Sequence, residues 1–344
     1  MSIAIKSLAI KMPTQYYTND MPPYSTIPNL PTYWWRLWGM EGRYLMDKNA
    51  GETVESLGLE ACKEALSLAG KNAGDIDLIL TSTCCVSGWS QNKTQIFPLL
   101  SHRLKKGLGC NPSCVTIHVN QACISFLLLL EIAANYLKKG SHKNILICVS
   151  ESFSSQMDFM DTSSTLFADG SAAAVVGIGE EDGNLLSSAF HSDSTHYELA
   201  TIQWRYPNKS QECCLPGDLR SYFTLKEDAP QKMQTFVPIK VPQIVNRALN
   251  QVQLTTKDID FFVFHQPSQM LIKMWAEKLG VDKERFLITV DKYSCLASAS
   301  IPLTLHEALK QKKIKNKDKV VLAGASTGWG FCAQVWQIEN IKCN

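Results

Sequence analysis

Residues 119–137, VNQACISFLLLLEIAANYL, put a cysteine at the head of a strongly apolar helix. A thiol there faces the positive end of the helix macrodipole and unpaired backbone N–H groups, which favour the nucleophilic thiolate. The same position also suits a cysteine that only fills a core, because free cysteine is among the most buried residue types. Cys123 needs partners before chemistry can be assigned to it, and two segments in the second half of the chain offer them. In FFVFHQPSQMLIKMWAEKLG, residues 261–280, His265 ends a β-rich run and Pro267 marks the turn into a helix. Ligands and catalytic groups of open α/β sheets gather at such strand ends. A lone histidine is more often structural, yet this one is the best-placed general base among the seven. In VLAGASTGWGFCAQVWQI, residues 321–338, a glycine-bearing turn joins two strands. Glycine lets backbone N–H groups approach a substrate oxygen, as an oxyanion hole requires, although glycine turns join ordinary hairpins too.

The elements that must carry these groups alternate between helix and strand, which predicts α/β architecture with covered sheets. VESLGLEACKEALSLAG (54–70) has apolar residues at helical spacing, and IDLILTSTC (76–84) is a β-rich run. The helix from Cys123 follows, then a strand at NILICVSE (144–151), then a turn and a second buried strand within TLFADGSAAAVVGIG (165–179). The second half repeats the first: GDIDLILT (74–81) matches KDIDFFVF (257–264), and NILICVSE stands where KVVLAGAS (319–326) stands later. A repeat this long predicts a duplicated domain, with halves at residues 1–178 and 179–344. Between them, residues 183–225 begin as a strand and become polar and rich in turn residues, as an inserted loop over a site would.

At 344 residues and 45% hydrophobic content the chain can bury a large core. A net charge of +2 with intermixed signs gives no electrostatic case for nucleic acid or an anionic membrane, and the basic run 310–319 reads as a solvated loop. Twelve cysteines stand without a secretory leader pattern, which predicts reduced thiols in the cytoplasm. Cys84–Cys85 and Cys213–Cys214 are adjacent pairs without ligand spacing, so no metal is expected. The apolar run in 122–130 is broken by Glu131, well short of the ~20 residues of a membrane span. Residues 33–40, YWWRLWGM, read mainly as core, with lining of an acyl entrance as the alternative.

Five segments occur in an order that resembles ketoacyl synthase III enzymes of the thiolase fold: QACISF, STLFADGSAAAVV, FVFHQP, CLASASIP (295–302) and GASTGWG. WWRLWG (34–39), FHSDSTHYELAT (190–201), FFVFHQP and AGASTGWGFCAQVWQ (323–337) resemble most closely one branch, the catalytic subunits of 2-alkyl-4-quinolone synthases. The resemblance implies a duplicated, five-layered α-β-α-β-α fold. It implies that Cys123 accepts an acyl group from acyl-coenzyme A, that His265 works with it, and that the backbone N–H groups of Cys123 and Ser326 form the oxyanion hole. Acyl-coenzyme A would be a substrate, with no cofactor. Cys295 occupies the position of the usual family asparagine, and an arginine that stacks on adenine is missing near Leu37. A thiol cannot replace a carboxamide donor, so ordinary malonyl elongation is not expected.

The resemblance therefore implies condensation, with decarboxylation, onto a small β-keto acid acceptor such as 2-aminobenzoylacetate. The alternatives are ester or amide formation from the same acyl-enzyme, and a noncatalytic partner subunit. A dimer is expected, by resemblance a heterodimer with a related noncatalytic subunit, paired through a strand near 171–177, SAAAVVG. A homodimer is the other arrangement.

Overall fold

A computed structural model describes residues 2–85, 97–179, 184–207 and 219–344, and of two further short strands only the backbone. In chain order the strands are β1 (Ile3–Lys11), β2 (Gln15–Thr18), β3 (Gly42–Leu45), β4 (Leu78–Ser82), β5 (Trp89–Ser90), β6 (Lys93–Thr94), β7 (Val115–His118), β8 (Asn144–Ser152) and β9 (Asp169–Ile178). They continue as β10 (Asn184–Ser192), β11 (Ala200–Arg205), β12 (Arg220–Leu225), β13 (Phe261–Phe264), β14 (Lys319–Ser326), β15 (Gly330–Gln337) and β16 (Lys342–Cys343). The helices are α1 (Trp34–Trp38), α2 (Val54–Ala69), α3 (Leu100–Leu108), α4 (Ser125–Lys138), α5 (Ala229–Gln251), α6 (Gln269–Leu279), α7 (Val290–Tyr293) and α8 (Ser300–Lys310).

One sheet has the order β16-β1-β9-β8-β4-β7 and a second the order β10-β15-β14-β13. α2 and α3 cover the outer side of the first sheet, while α5, with α6 beside it, covers the second. α4 and α8 each touch strands of both sheets and fill the layer between them, completing the α-β-α-β-α stack. α4 can lie there because Phe126, Leu127, Leu129, Leu130, Ala133, Ala134 and Leu137 are all essentially inaccessible to solvent. α2 starts at a capping box of Thr53 and Ser56 and stops at Gly70, whose φ of 64° only glycine adopts without cost.

The repeat is visible in local detail. β4 and β13 each follow a 3-10 turn with a capping box, Ala73–Asp75 and Thr256–Asp258. α4 and α8 each follow a 3-10 turn, Ala122–Ile124 and Ala297–Ala299. Each turn is entered through an alanine held at positive φ, Ala122 at 45° and Ala297 at 44°. Cys123 and Ser298, the residues after those alanines, therefore occupy matching places at the heads of the two central helices.

Two expectations change. Residues 171–177 are not a free edge: β9 is paired along its length with β1 on one side and β8 on the other. Its apolar character comes from burial inside the sheet. The end strands of that sheet are β16 and β7; among the described residues β7 pairs only with β4, and its Val115 is 46% exposed. The described parts of residues 183–225, 184–207 and 219–225, are also more regular than a loop. β11 and β12 form an antiparallel ribbon from Ala200↔Leu225 to Arg205↔Arg220. Cys213 and Cys214 lie outside the described residues. Among the described residues no helix is long and apolar enough to cross a membrane.

Candidate active site

Cys123 sits in the 3-10 turn that leads into α4, not in the α-helix itself, and is 7% exposed. The strained entry at Ala122 is held from below. Asn120 Oδ1 accepts from the Ala122 N–H at 2.8 Å, and Asn120 Nδ2 donates to the Thr83 carbonyl at 3.0 Å, tying the turn to the end of β4. The Ser125 hydroxyl accepts from the Gln121 N–H at 2.8 Å and closes the first turn. Backbone in this region costs roughly 1–3 kcal/mol and persists only where its surroundings over-determine it.

His265 follows β13 directly, and its backbone N–H donates to the Ala323 carbonyl at 2.8 Å, extending the pairing with β14. Gly324 makes this approach possible, since a Cβ there would lie 2.6 Å from the His265 Cβ. The next residue, Gln266, is fully engaged. Its Nε2 donates to the carbonyls of Phe264 (3.0 Å) and Leu287 (3.2 Å). Its Oε1 accepts from the N–H groups of Thr289 (2.8 Å) and Val290 (3.2 Å). The imidazole is thereby fixed at the strand end, with Nε2 at 3.8 Å from Cys295 Sγ and Nδ1 buried without a hydrogen-bond partner among the described residues.

Cys295 is stitched by its backbone to the segment before β9. Its N–H donates to the Leu166 carbonyl at 3.1 Å, and its carbonyl accepts from the Ala168 N–H at 3.0 Å. Ser326 ends β14 beside Gly330, where a Cβ would meet Ser326 Oγ at 2.8 Å and Ile124 Cδ1 at 2.9 Å. The glycine turn therefore lies directly against the Cys123 turn.

All four residues line one cavity whose other walls are almost wholly apolar, including Trp38, Phe223, Leu271, Trp275 and Trp329. A second cavity also meets Cys123 and is lined by Cys84, Asn120, Phe153, Phe167 and Ile202 among others. Phe167, Ala200, Phe223 and Thr327 border both. The nucleophile candidate thus stands where two chambers join, a layout that can hold an acyl chain and a second reactant at once. Within residues 33–40, Trp34 is buried core and Trp38 reaches the first cavity, whereas Tyr33 is 55% exposed.

Electrostatics revise one expectation. The Cys123 thiol is held well above its ordinary range, first by its hydrogen bond to Cys295 and then by burial. Cys295 is pulled well below that range by the same bond, with further help from the facing imidazole and the Ala297 N–H. The pairing thus favours the anion on Cys295 over Cys123. A macrodipole contributes about 0.3–1 kcal/mol at a surface helix end, too little to offset desolvation of a fully buried thiolate.

Sequence reasoning also missed Glu151. It is the next-to-last residue of β8 and fully buried, accepting hydrogen bonds from the Cys84 N–H (2.9 Å), the Cys85 thiol (3.6 Å) and the Ser298 hydroxyl. Burial raises its carboxyl to about 7 against those bonds. The signal was present: Glu151 stands at the carboxyl end of a strand, as Ser326 and His265 do. What no spacing could reveal is its contact with Ser298 across the repeat.

The chain's relatives agree with this architecture. Residues 117–194 match the family 3-oxoacyl-(acyl-carrier-protein) synthase III, and residues 249–338 match its C-terminal region. A 2-heptyl-4(1H)-quinolone synthase subunit of Pseudomonas aeruginosa is 36% identical over 98% of both chains. A beta-ketoacyl-(acyl-carrier-protein) synthase III of Synechocystis is 30% identical over 86% of both. Among solved structures, the 3-oxoacyl-(acyl-carrier-protein) synthase III of Aquifex aeolicus superposes with a TM-score of 0.84 at 23% identity, covering 98% of this chain and all of that one.

Proposed function

The chain belongs to the 3-oxoacyl-(acyl-carrier-protein) synthase III family of condensing acyltransferases, and from that premise we propose that Cys123 takes a fatty acyl group from acyl-coenzyme A and passes it to a β-keto acid carbon. The observation that carries this reading is the convergence of Cys123, His265, Cys295 and Ser326 on one apolar cavity. The Cys123 thiolate attacks the thioester carbonyl, and the tetrahedral oxyanion takes hydrogen bonds from the backbone N–H groups of Cys123 and Ser326. Collapse expels coenzyme A, whose sulfur is protonated from His265. The acceptor then loses carbon dioxide, and the carbanion released attacks the acyl carbon and frees Cys123.

Cys295 at the usual asparagine position leaves no carboxamide to hold a malonyl thioester, whereas a β-keto acid carries its own activating ketone. The acceptor would be of the 2-aminobenzoylacetate type, and its aryl amine would condense with the newly formed ketone, with loss of water, to give a 2-alkyl-4-quinolone, in keeping with the synthase subunit to which the chain is 36% identical. The aromatic walls of the first cavity suit such a planar acceptor. No cofactor takes part. The catalytic assembly uses both halves, residues 1–178 and 179–344, and pairs with a related noncatalytic subunit. The open edge of β7 is the surface suited to that pairing. The ten described cysteines are all free, which suits a cytoplasmic enzyme.

The test uses acceptor labelled in its carboxyl carbon. Release of the label as carbon dioxide with a new carbon–carbon bond supports the reading. A product that retains the label, or an acyl ester or amide of the acceptor, contradicts it.

A further inference from the structure

We propose that Glu151 is a positioning residue of the reaction, which holds the strained turn of Cys123 through the Thr83–Cys84 peptide and Asn120, and the matching turn of the second half through Ser298. The inference rests on Cys123 being the acyl acceptor. The Thr83–Cys84 peptide group is held at both ends: its N–H donates to Glu151 Oε2 at 2.9 Å, and its carbonyl accepts from Asn120 Nδ2 at 3.0 Å. Asn120 Oδ1 accepts in turn from the Ala122 N–H at 2.8 Å, one residue before the nucleophile. The Cys85 thiol donates to the same Glu151 oxygen at 3.6 Å, and its sulfur accepts from the Ser152 N–H at 3.1 Å, which locks the segment after β4 onto β8. The other carboxyl oxygen, Oε1, accepts from the Ser298 hydroxyl.

These two turns are the ones that need holding. Ala122 and Ala297 sit at φ of 45° and 44°, and such backbone persists only where its neighbours over-determine it. The turns pack on each other, and one carboxyl reaches both. It meets the second directly, at the residue after Ala297, and the first through one peptide and one carboxamide. Hydrogen bonds joined in series polarise one another, so loss of the first loosens the last. Glu151 lines neither cavity, so its effect on the chemistry has to pass through the backbone that carries Cys123. Burial that lifts the carboxyl to about 7 fits a group whose task is reach and hydrogen bonding, not charge.

Single-turnover loading by an acyl-coenzyme A thioester, followed by intact mass, tests this role in three variants, with matched circular dichroism spectra checking each fold. Glu151→Asp keeps the carboxyl but is one methylene too short to reach Cys84 and Ser298 together. Glu151→Gln has the reach without the charge, since its oxygen can accept from the Cys84 N–H while its amide donates to the Ser298 hydroxyl. At saturating thioester the loading rate constant of Glu151→Asp should fall about tenfold or more, because a displacement near 1 Å at the reacting centre costs up to about 10²-fold. Its half-saturating concentration should stay within about twofold of the wild type, as befits a residue outside both cavities. Glu151→Gln should recover most of the lost rate. Ser298→Ala cuts one arm by removing a single oxygen; it should also slow loading, and it serves if the aspartate variant misfolds. A group that only stabilised the fold would lower the fraction of protein loaded and leave the rate constant unchanged. A wild-type rate constant in Glu151→Asp or in Ser298→Ala, or a glutamine variant as slow as the aspartate one, would overturn the positioning role while Cys123 remained the acyl acceptor. A wild type that no thioester loads would overturn the acceptor reading, and this inference with it.

Discussion

Glu151→Gln should flatten the dependence of stability on pH. The carboxyl lies at about 7 in the folded protein, against an ordinary 4.5, because burial outweighs the hydrogen bonds from Cys84, Cys85 and Ser298. A carboxyl raised by folding binds its proton more tightly in the native state. The stability it contributes is complete below 4.5 and is lost as pH rises through 7. Linkage over that interval gives a loss of about 2.5 kcal/mol between pH 5 and pH 8. With an unfolding entropy of about 2.1 cal/mol/K per residue, spread over 344 residues, that corresponds to roughly 3–4 °C in Tm. Glutamine is neutral throughout and keeps the geometry, since its oxygen can accept from the Cys84 N–H while its amide donates to the Ser298 hydroxyl. Calorimetry of both proteins at pH 5 and pH 8 is the assay. The fall in Tm should be about 3–4 °C larger for the wild type. Equal falls would show that Glu151 does not enter the folded state as a neutral acid, and the account of its burial would be wrong.

His265→Ala should slow acceptor-dependent turnover by about two to four orders of magnitude under saturating substrates, the usual range for loss of a general acid or base, and near-wild-type turnover would remove it from the mechanism. Gly324→Ala puts a methyl group 2.6 Å from the His265 Cβ. Chemical denaturation should show a loss of about 1–3 kcal/mol with a parallel drop in acyl loading, and an unchanged protein would mean that β14 does not set the histidine position.

Much of the site was legible because its residues stand at punctuation marks. Cys123 heads a helix, His265 ends a strand before a proline-marked turn, and Ser326 opens a glycine turn; each is a place where backbone geometry and chemistry coincide. What lay beyond reading was contact across the duplication. Cys295 faces His265 because one follows α7 and the other follows β13, two elements that only tertiary packing brings together. Glu151 meets Ser298 for the same reason. The SAAAVVG run misled because an apolar strand reads alike whether a neighbouring strand or a second subunit covers it; here β1 and β8 do. The ribbon of β11 and β12 escaped notice because its polar, largely exposed alternation resembles a loop until the two runs are paired. The thiol at the helix head was found, but its protonation was not, since that depends on a second thiol far along the chain.

The intact mass of the purified protein after exposure to a panel of acyl-coenzyme A thioesters bears most directly on the central claim. The wild type should gain the mass of one acyl group, peptide mapping should put it on Cys123, and Cys123→Ala should gain nothing at that peptide. An adduct confined to Cys295, or no adduct with any thioester in the panel, would contradict the claim that Cys123 is the acyl acceptor.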